Sequence, residues 1–302
     1  MKPQPTYIYG AAANVWPVFE SPPDLRPLLQ TLWNKRFRRI NHFIELTLIG
    51  AKSCLDRSRL PIQDECDIYL ASEQGNVSDV VKTTESLFRH MGAPMPLTFL
   101  NVTNNMAGFH LAQHLGLHSQ NLTVAHQAFP FETALDLATF NITTSRKTNP
   151  CALIGGVEEC AYPLTQHRQR MNQAADTPLA EGSSWLHIGG GNTQKAIACC
   201  EWVKFFSDDS TLLSFLKRKE ISSSAHLAGG YGMERSQLKD FASALAINNR
   251  YDCRDSAPFH NTHCAFTIAS FILEHRGDYL IHINRDKQGR YAVVCISMIK
   301  DR

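Results

Sequence analysis

Short runs of buried-strand character alternate with helical periodicity along nearly the whole chain. This alternation constrains the fold more than any single motif. The clearest run, Cys151-Ala-Leu-Ile-Gly-Gly-Val157, is apolar almost throughout and reads as a strand covered on both faces. Further strands are predicted at Tyr7 to Gly10, Asp67 to Ser72, Leu122 to Ala125, Ser183 to Ile188, Lys195 to Phe205, Ala225 to Ala228, Tyr279 to Asn284 and Arg290 to Met298. Helices are predicted over Ile40 to Leu55, from a cap at Asn76 or Ser78 to about Met91, over Asn104 to Leu115 with Gly116 closing it, and to about Thr144. Three more follow at Thr211 to Lys219, Glu234 to Ala246 and His263 to His275, and the polar stretch Leu164 to Pro178 reads as a loop. Strands alternating with helices pack as α/β layers. The pattern restarts in compressed form after Lys195 with no repeat visible residue by residue, so two halves, 1–194 and 195–302, are expected.

The balance of charge removes some functions. Thirty basic residues against 28 acidic ones, a net +2, leave no dedicated nucleic-acid surface. No apolar run approaches the roughly 20 residues that cross a bilayer, and Met1-Lys-Pro-Gln-Pro lacks the apolar core of a signal peptide. A cytoplasmic protein without a membrane span is expected. Nine cysteines without CxxC spacing read as buried reduced thiols, so neither a metal site nor a cofactor is expected.

The segment from Asn121 to Ala134 runs from a short strand through a tight turn into a helix. Acyl-transferring enzymes mount Ser or Cys on such turns, where the helix N-terminus favours negative charge. Here the turn offers His126, Gln127 and Ala128, none of which supplies a thiolate.

Several ordered motifs are similar to those of β-ketoacyl synthases of the thiolase-like superfamily. Arg38-Arg-Ile-Asn-His-Phe43 resembles the start of that family's first long helix. Asn104-Asn-Met-Ala-Gly108 with Leu115-Gly116 resembles the helix before its nucleophile strand. Leu153 to Glu159 resembles its glycine-ended strand, and Glu181-Gly182 the opening of the next. The resemblance covers about residues 36 to 190 and implies a layered α/β/α/β/α fold whose second half is shortened.

By the same resemblance, the acylated Cys of the family falls on Ala128, or on Gln127 with a one-residue slip. The first catalytic His falls on Gly229 within Leu227-Ala-Gly-Gly-Tyr-Gly232. The second is retained as His263 in Thr262-His-Cys-Ala-Phe-Thr-Ile-Ala269, and Asn284 to Arg290 replaces the glycine-rich pocket loop. This pattern resembles the chain-length-factor branch, subunits that lack the Cys and pair with an active synthase. It implies a catalytically degenerate subunit of fatty-acid, polyketide or aryl-polyene biosynthesis that works with an acyl carrier protein. Leu122 and Val124 would lie at a dimer interface, with Leu97, Phe99 and Met106 near the partner's acyl tunnel. Two alternatives stand beside it: a malonyl-carrier decarboxylase or acyltransferase using Gln127, His126 and His263, and a non-catalytic homodimer that binds acyl carrier protein. His126 and His263 each also read as satisfied buried histidines, and Cys264 as a buried helical thiol.

Overall fold

A computed structural model of the chain describes residues 5–93, 95–219 and 221–300, with Leu97 described by its backbone alone. The elements in chain order are β1 (Thr6–Val18), α1 (Arg26–Trp33), α2 (His42–Asp56), β2 (Asp67–Ser72), α3 (Val77–Phe88), α4 (Pro96–Asn101), α5 (Asn105–Leu115), β3 (Asn121–Ala125), α6 (Pro130–Thr144), β4 (Cys151–Glu158), α7 (Leu164–Arg170) and β5 (Leu179–Gly189). They continue with β6 (Ala198–Phe206), α8 (Asp209–Arg218), β7 (His226–Gly229), α9 (Arg235–Ala244), β8 (Asn249–Arg250), α10 (His263–Glu274), β9 (Tyr279–Arg285) and β10 (Tyr291–Met298).

Local chemistry sets several helix ends. The Asn41 side chain accepts the Ile44 N–H at 2.9 Å at the head of α2, and Asp208 does the same for Thr211 at the head of α8. Glu234 and Gln237 form a reciprocal capping box on α9. Gly116 ends α5 at φ 68°, a left-handed conformation that a side chain would strain.

The strands are hydrogen-bonded in the order β3-β2-β4-β5-β1-β6-β10-β9-β7-β8. Read outward from the middle, one side repeats the other. β1 corresponds to β6, β5 to β10, β4 to β9, β2 to β7 and β3 to β8. The sense of pairing repeats as well: β1·β5 and β4·β5 are antiparallel, as are β6·β10 and β9·β10. The outer pairs β2·β4, β2·β3, β7·β9 and β7·β8 are parallel. Among the described residues, only Thr6–Ile8 of β1, paired with Ala198–Cys200 of β6, joins the two sets of strands.

Three apolar cores separate the layers. One lies between α1, α2 and α5 and the first five strands, around Leu46, Leu48, Leu70 and Trp185. A second lies between α8 and α9 and the last five strands, around Leu216, Phe241, Ile281 and Val293. The largest contains Ala134, Leu135 and Ala138 of α6 with Ile268, Phe271 and Ile272 of α10, and strand residues from both sides. The layers are therefore α/β/α/β/α with α6 and α10 in the middle, and the second side is the shorter. Three helices (α3, α4 and α5) connect β2 to β3, whereas α9 alone, among the described residues, connects β7 to β8.

Some expectations need correction. The first strand is far longer than Tyr7 to Gly10, because small residues (Ala11 to Ala13) pack where bulky alternation was absent. The polar stretch after Leu164 holds α7. Its stability comes from Leu164 in a small apolar cluster and from buried His167, whose Nδ1 accepts the Ala161 N–H at 3.1 Å, rather than from an apolar stripe.

Candidate functional site at two facing helix starts

The central helices α6 and α10 occupy equivalent places in the two halves, and their first turns meet. Gly156 of β4 lies between them: a Cβ there would stand 2.8 Å from the Ala265 Cβ and 3.4 Å from the Phe131 ring. Only a hydrogen at this position lets the two helix starts approach so closely. Next to it, buried Glu132 of α6 accepts a hydrogen bond from Asn284 Nδ2 at 2.9 Å, at the end of β9. Burial pushes the Glu132 carboxyl up, against the Asn284 hydrogen bond.

The turn before α6 is open. His126 and Gln127 are exposed and Ala128 is half-buried. The His126 Nδ1 atom faces its own turn, 2.8 Å from the Ala128 carbonyl oxygen and 3.1 Å from the Ala128 nitrogen. The reading of His126 as a buried histidine is thus corrected. The turn follows the outermost strand β3, whose far edge has no strand of the described residues against it. Phe129 completes the turn at φ 56° and brings the chain into the helix.

The start of α10 is closed. His263 is 3% exposed, and its Nε2–H donates to the Gly229 carbonyl at 3.3 Å, with Thr267 Oγ1 at 3.4 Å. The fold therefore brings His263 and Gly229, far apart in sequence, into direct contact. Tyr231 stacks on the His263 ring with centroids 4.3 Å apart, and His260 and His282 approach it edge-on at 5.9 and 6.4 Å. Burial lowers the His263 pKa to about 4 and that of His282 to about 3, and drives His260 down as well. At neutral pH all three are uncharged. The Cys264 Sγ lies 3.5 Å from His282 Nδ1, and burial together with Glu132 pushes this thiol well up, away from a nucleophile's range. The donor atoms of Glu132, Cys264 and His282 lie within 4.8 Å of one another, a spacing that could hold a cation. Each already has a neighbour inside the protein.

A band of buried carboxylates, missed from the sequence, borders the turn. Glu158 accepts from Ser72 Oγ at 2.8 Å and from the N–H groups of Glu73 and Gln74, and so ties the end of β4 to the end of β2. Burial raises Glu158 to about 8 and Glu159 to about 7, while Glu73 reaches about 8 through burial and the nearby Glu158 and Glu132. Glu181 binds His42 Nε2 at 2.6 Å. Although burial opposes a charge on His42, its hydrogen bonds to Glu181 and Glu45 raise it to about 10. The signal was available: Glu158, Glu159 and Glu181 all sit in apolar strand context, where an acidic residue stands out.

Leu122 and Val124 lie half-buried on β3, Phe99 on α4 is 60% exposed, and Met106 on α5 is half-buried. The Leu97 side chain lies outside the described residues. Phe88, Met95, Phe109 and Phe140, on or beside α3 to α6, are also exposed. A groove of about 1040 Å³ opens elsewhere, lined by Val18, Tyr162, Leu164 and Arg168 among others, and by none of the predicted tunnel residues. Among the described residues, no helix is long and apolar enough to cross a membrane.

No protein-family model and no curated protein matches this sequence. Solved structures do match it. The chain is similar to the ishigamide ketosynthase/chain length factor, with a TM-score of 0.73 and 16% identity over 98% of this chain and 100% of that one. It is similar to a β-ketoacyl synthase from Burkholderia phymatum at a TM-score of 0.73 and 10% identity, again over 98% and 100%. A third match is to a type II polyketide synthase acyl-carrier protein in complex with its ketosynthase bound to the hexaketide, at 0.70 and 14% over 98% and 100%. The chain therefore has the thiolase-like fold of ketosynthases and chain length factors. Identity this low carries the fold, and any activity rests on the chemistry of the site.

Proposed function

We propose that this protein is a catalytically degenerate, synthase-like subunit of fatty-acid, polyketide or aryl-polyene biosynthesis. It pairs with an active β-ketoacyl synthase and shapes that partner's acyl tunnel, with substrate delivered by acyl carrier protein. The observation that carries this reading is the combination of an open turn without a thiol, an edge strand with no strand of the described residues against its far side, and exposed Phe88, Phe99, Phe109 and Phe140 on α3 to α6. A free strand edge with large exposed apolar residues beside it is a surface that water disfavours and a partner can cover. Leu122 and Val124 would then pair across the interface, and Leu97, Phe99 and Met106 would border the tunnel. The division at 194/195 separates the half that carries this interface from the half that carries the closed histidine pocket.

The site gives little support to a decarboxylase or acyltransferase. An enolate must be stabilised by donors aimed at its oxygen. The Nε2–H of His263 is instead engaged by the Gly229 carbonyl beneath Tyr231, and Gly229 itself has no side chain to offer. A homodimer that binds carrier protein uses the same exposed face, and the composition of the isolated complex decides between these readings. Co-expression with a β-ketoacyl synthase and a carrier protein should yield a heterodimer, and Phe99→Ala should lengthen its products. Recovery of this chain only as a homodimer, with no effect on product length, would sink the proposal.

A further inference from the structure

At the opposite end of β2 and β4 from the turn, three soft or borderline metal ligands meet on one face of the sheet. Cys151 opens β4 and Cys66 immediately precedes β2; because Asp67 pairs with Ala152 in parallel register, the two cysteines stand side by side. His187 of β5 lies opposite Leu153, two residues along from Cys151 and on the same face. The two sulfurs and an imidazole nitrogen all lie within 4.8 Å of one another, and all three residues are buried.

The histidine is already set for ligation. The Ser58 hydroxyl donates to the Leu60 carbonyl at 2.9 Å, so its oxygen is left to accept from His187 Nδ1–H at 2.8 Å. That bond fixes the tautomer and leaves the lone pair on Nε2. His187 is fully buried, and with Nδ1 held by Ser58 its Nε2 is left to the Cys151 thiol, which hydrogen-bonds to this ring. A histidine whose other nitrogen is held by a hydroxyl or carbonyl is the usual arrangement at a metal.

We propose that Cys66, Cys151 and His187 form a binding site for a thiophilic cation, Zn2+ above all. Sulfur–zinc bonds of about 2.3 Å and nitrogen–zinc bonds of about 2.0 Å set donors roughly 3.5–3.8 Å apart in a tetrahedron. Small side-chain rotations on three rigid, adjacent strands close the present spacing to that range. A donor set of two sulfurs and one nitrogen excludes Mg2+ and Ca2+, which require oxygen. Three protein donors leave one tetrahedral position open. The exposed segment Gln63 to Glu65 lies directly before Cys66, and the Lys147 ammonium is held beside it by the Glu65 carbonyl and the Asp67 carboxylate.

The test is titration of the reduced, metal-free full chain with Zn2+ against a chromophoric chelator, and with Co2+ while sulfur-to-cobalt charge-transfer absorption is followed. One equivalent should bind. Cys151→Ser or Cys66→Ser should weaken binding by at least about 100-fold, and Ser58→Ala, which keeps all three ligands, by about 10- to 100-fold. Cys264→Ser should leave binding unchanged, which separates this site from the group around Glu132. Circular dichroism confirms that each variant is folded. No saturable binding by the wild type, binding that survives Cys151→Ser, or binding lost in Cys264→Ser would each overturn the proposal.

Discussion

The helix starts of α6 and α10 hold equivalent positions in the two halves, yet they have opposite surroundings. The first follows an outer strand whose far edge has no strand of the described residues against it, and its turn displays His126 and Gln127 to solvent. The second is sealed beneath Tyr231, where desolvation keeps His263, His260 and His282 neutral. One topological unit has thus become a surface feature and the other a packed one. This asymmetry supports the proposed non-catalytic role, alongside a turn that offers neither Ser nor Cys.

The largest effect that would test this contrast is the pH dependence of stability. Glu158 and Glu159 have folded pKa values near 8 and 7 against 4.5 unfolded, and His42 one near 10 against 6.5. Each binds its proton more tightly in the folded protein, so stability falls as pH rises through these windows, by up to about 1.4 kcal/mol per pH unit for each group. In the other half, His263 and His282 are lowered to about 4 and 3 from 6.5, so they lose stability as pH falls below 6.5. The opposing trends overlap between 4.5 and 6.5, and only the downward one remains above. The melting temperature should therefore decline from about pH 6.5 to about 8, and the double variant Glu158→Gln, Glu159→Gln should make that decline shallower, with His42 and Glu73 sustaining the remainder. A wild-type profile flat over this range would refute the carboxylate assignment.

Next in size is the contrast between two aromatic residues on the paired helices. Phe271 of α10 is fully buried against Tyr251, whereas Phe140 of α6 is 63% exposed. Denaturant unfolding should show a loss of about 3–5 kcal/mol for Phe271→Ala. The same measurement on Phe140→Ala should show a change within about 0.5 kcal/mol. Equal losses would mean that α6 is as enclosed as α10.

The smallest effect concerns the histidines themselves. His263→Ala removes a buried bond to Gly229 and the stack on Tyr231, and should cost about 1–3 kcal/mol. His126→Ala should stay within about 0.5 kcal/mol, since its ring contacts only its own exposed turn. A large loss at His126 would break the contrast from the other side.

Much of the architecture was legible along the chain. Asn41, Asn76, Asp208 and Glu234 mark helix starts, and Gly116 a helix end, because capping acts over three or four residues. The apolar run from Cys151 marks a central strand for an equally local reason. Harder to read were α7, held by His167 rather than by periodicity, and the two-residue β8, too short to show alternation. At the site, the absence of Ser and Cys from His126 to Ala128 could be read directly, whereas the burial of Glu158 and the exposure of His126 could not. Each depends on which layer covers a residue, and that is set by elements far away in sequence.

The same division explains the cysteines. Their spacing excludes CxxC motifs, and from spacing alone they are inert core thiols. Only strand register brings Cys66 and Cys151 side by side and sets His187 next to them. The sequence by itself determined the alternation of strands and helices, the helix caps and the absence of a nucleophile from the turn, all of which depend on near neighbours. Tertiary structure alone decided which helix start is sealed, which edge is bare and which donors meet, because parallel and antiparallel pairing joins residues that the chain keeps far apart.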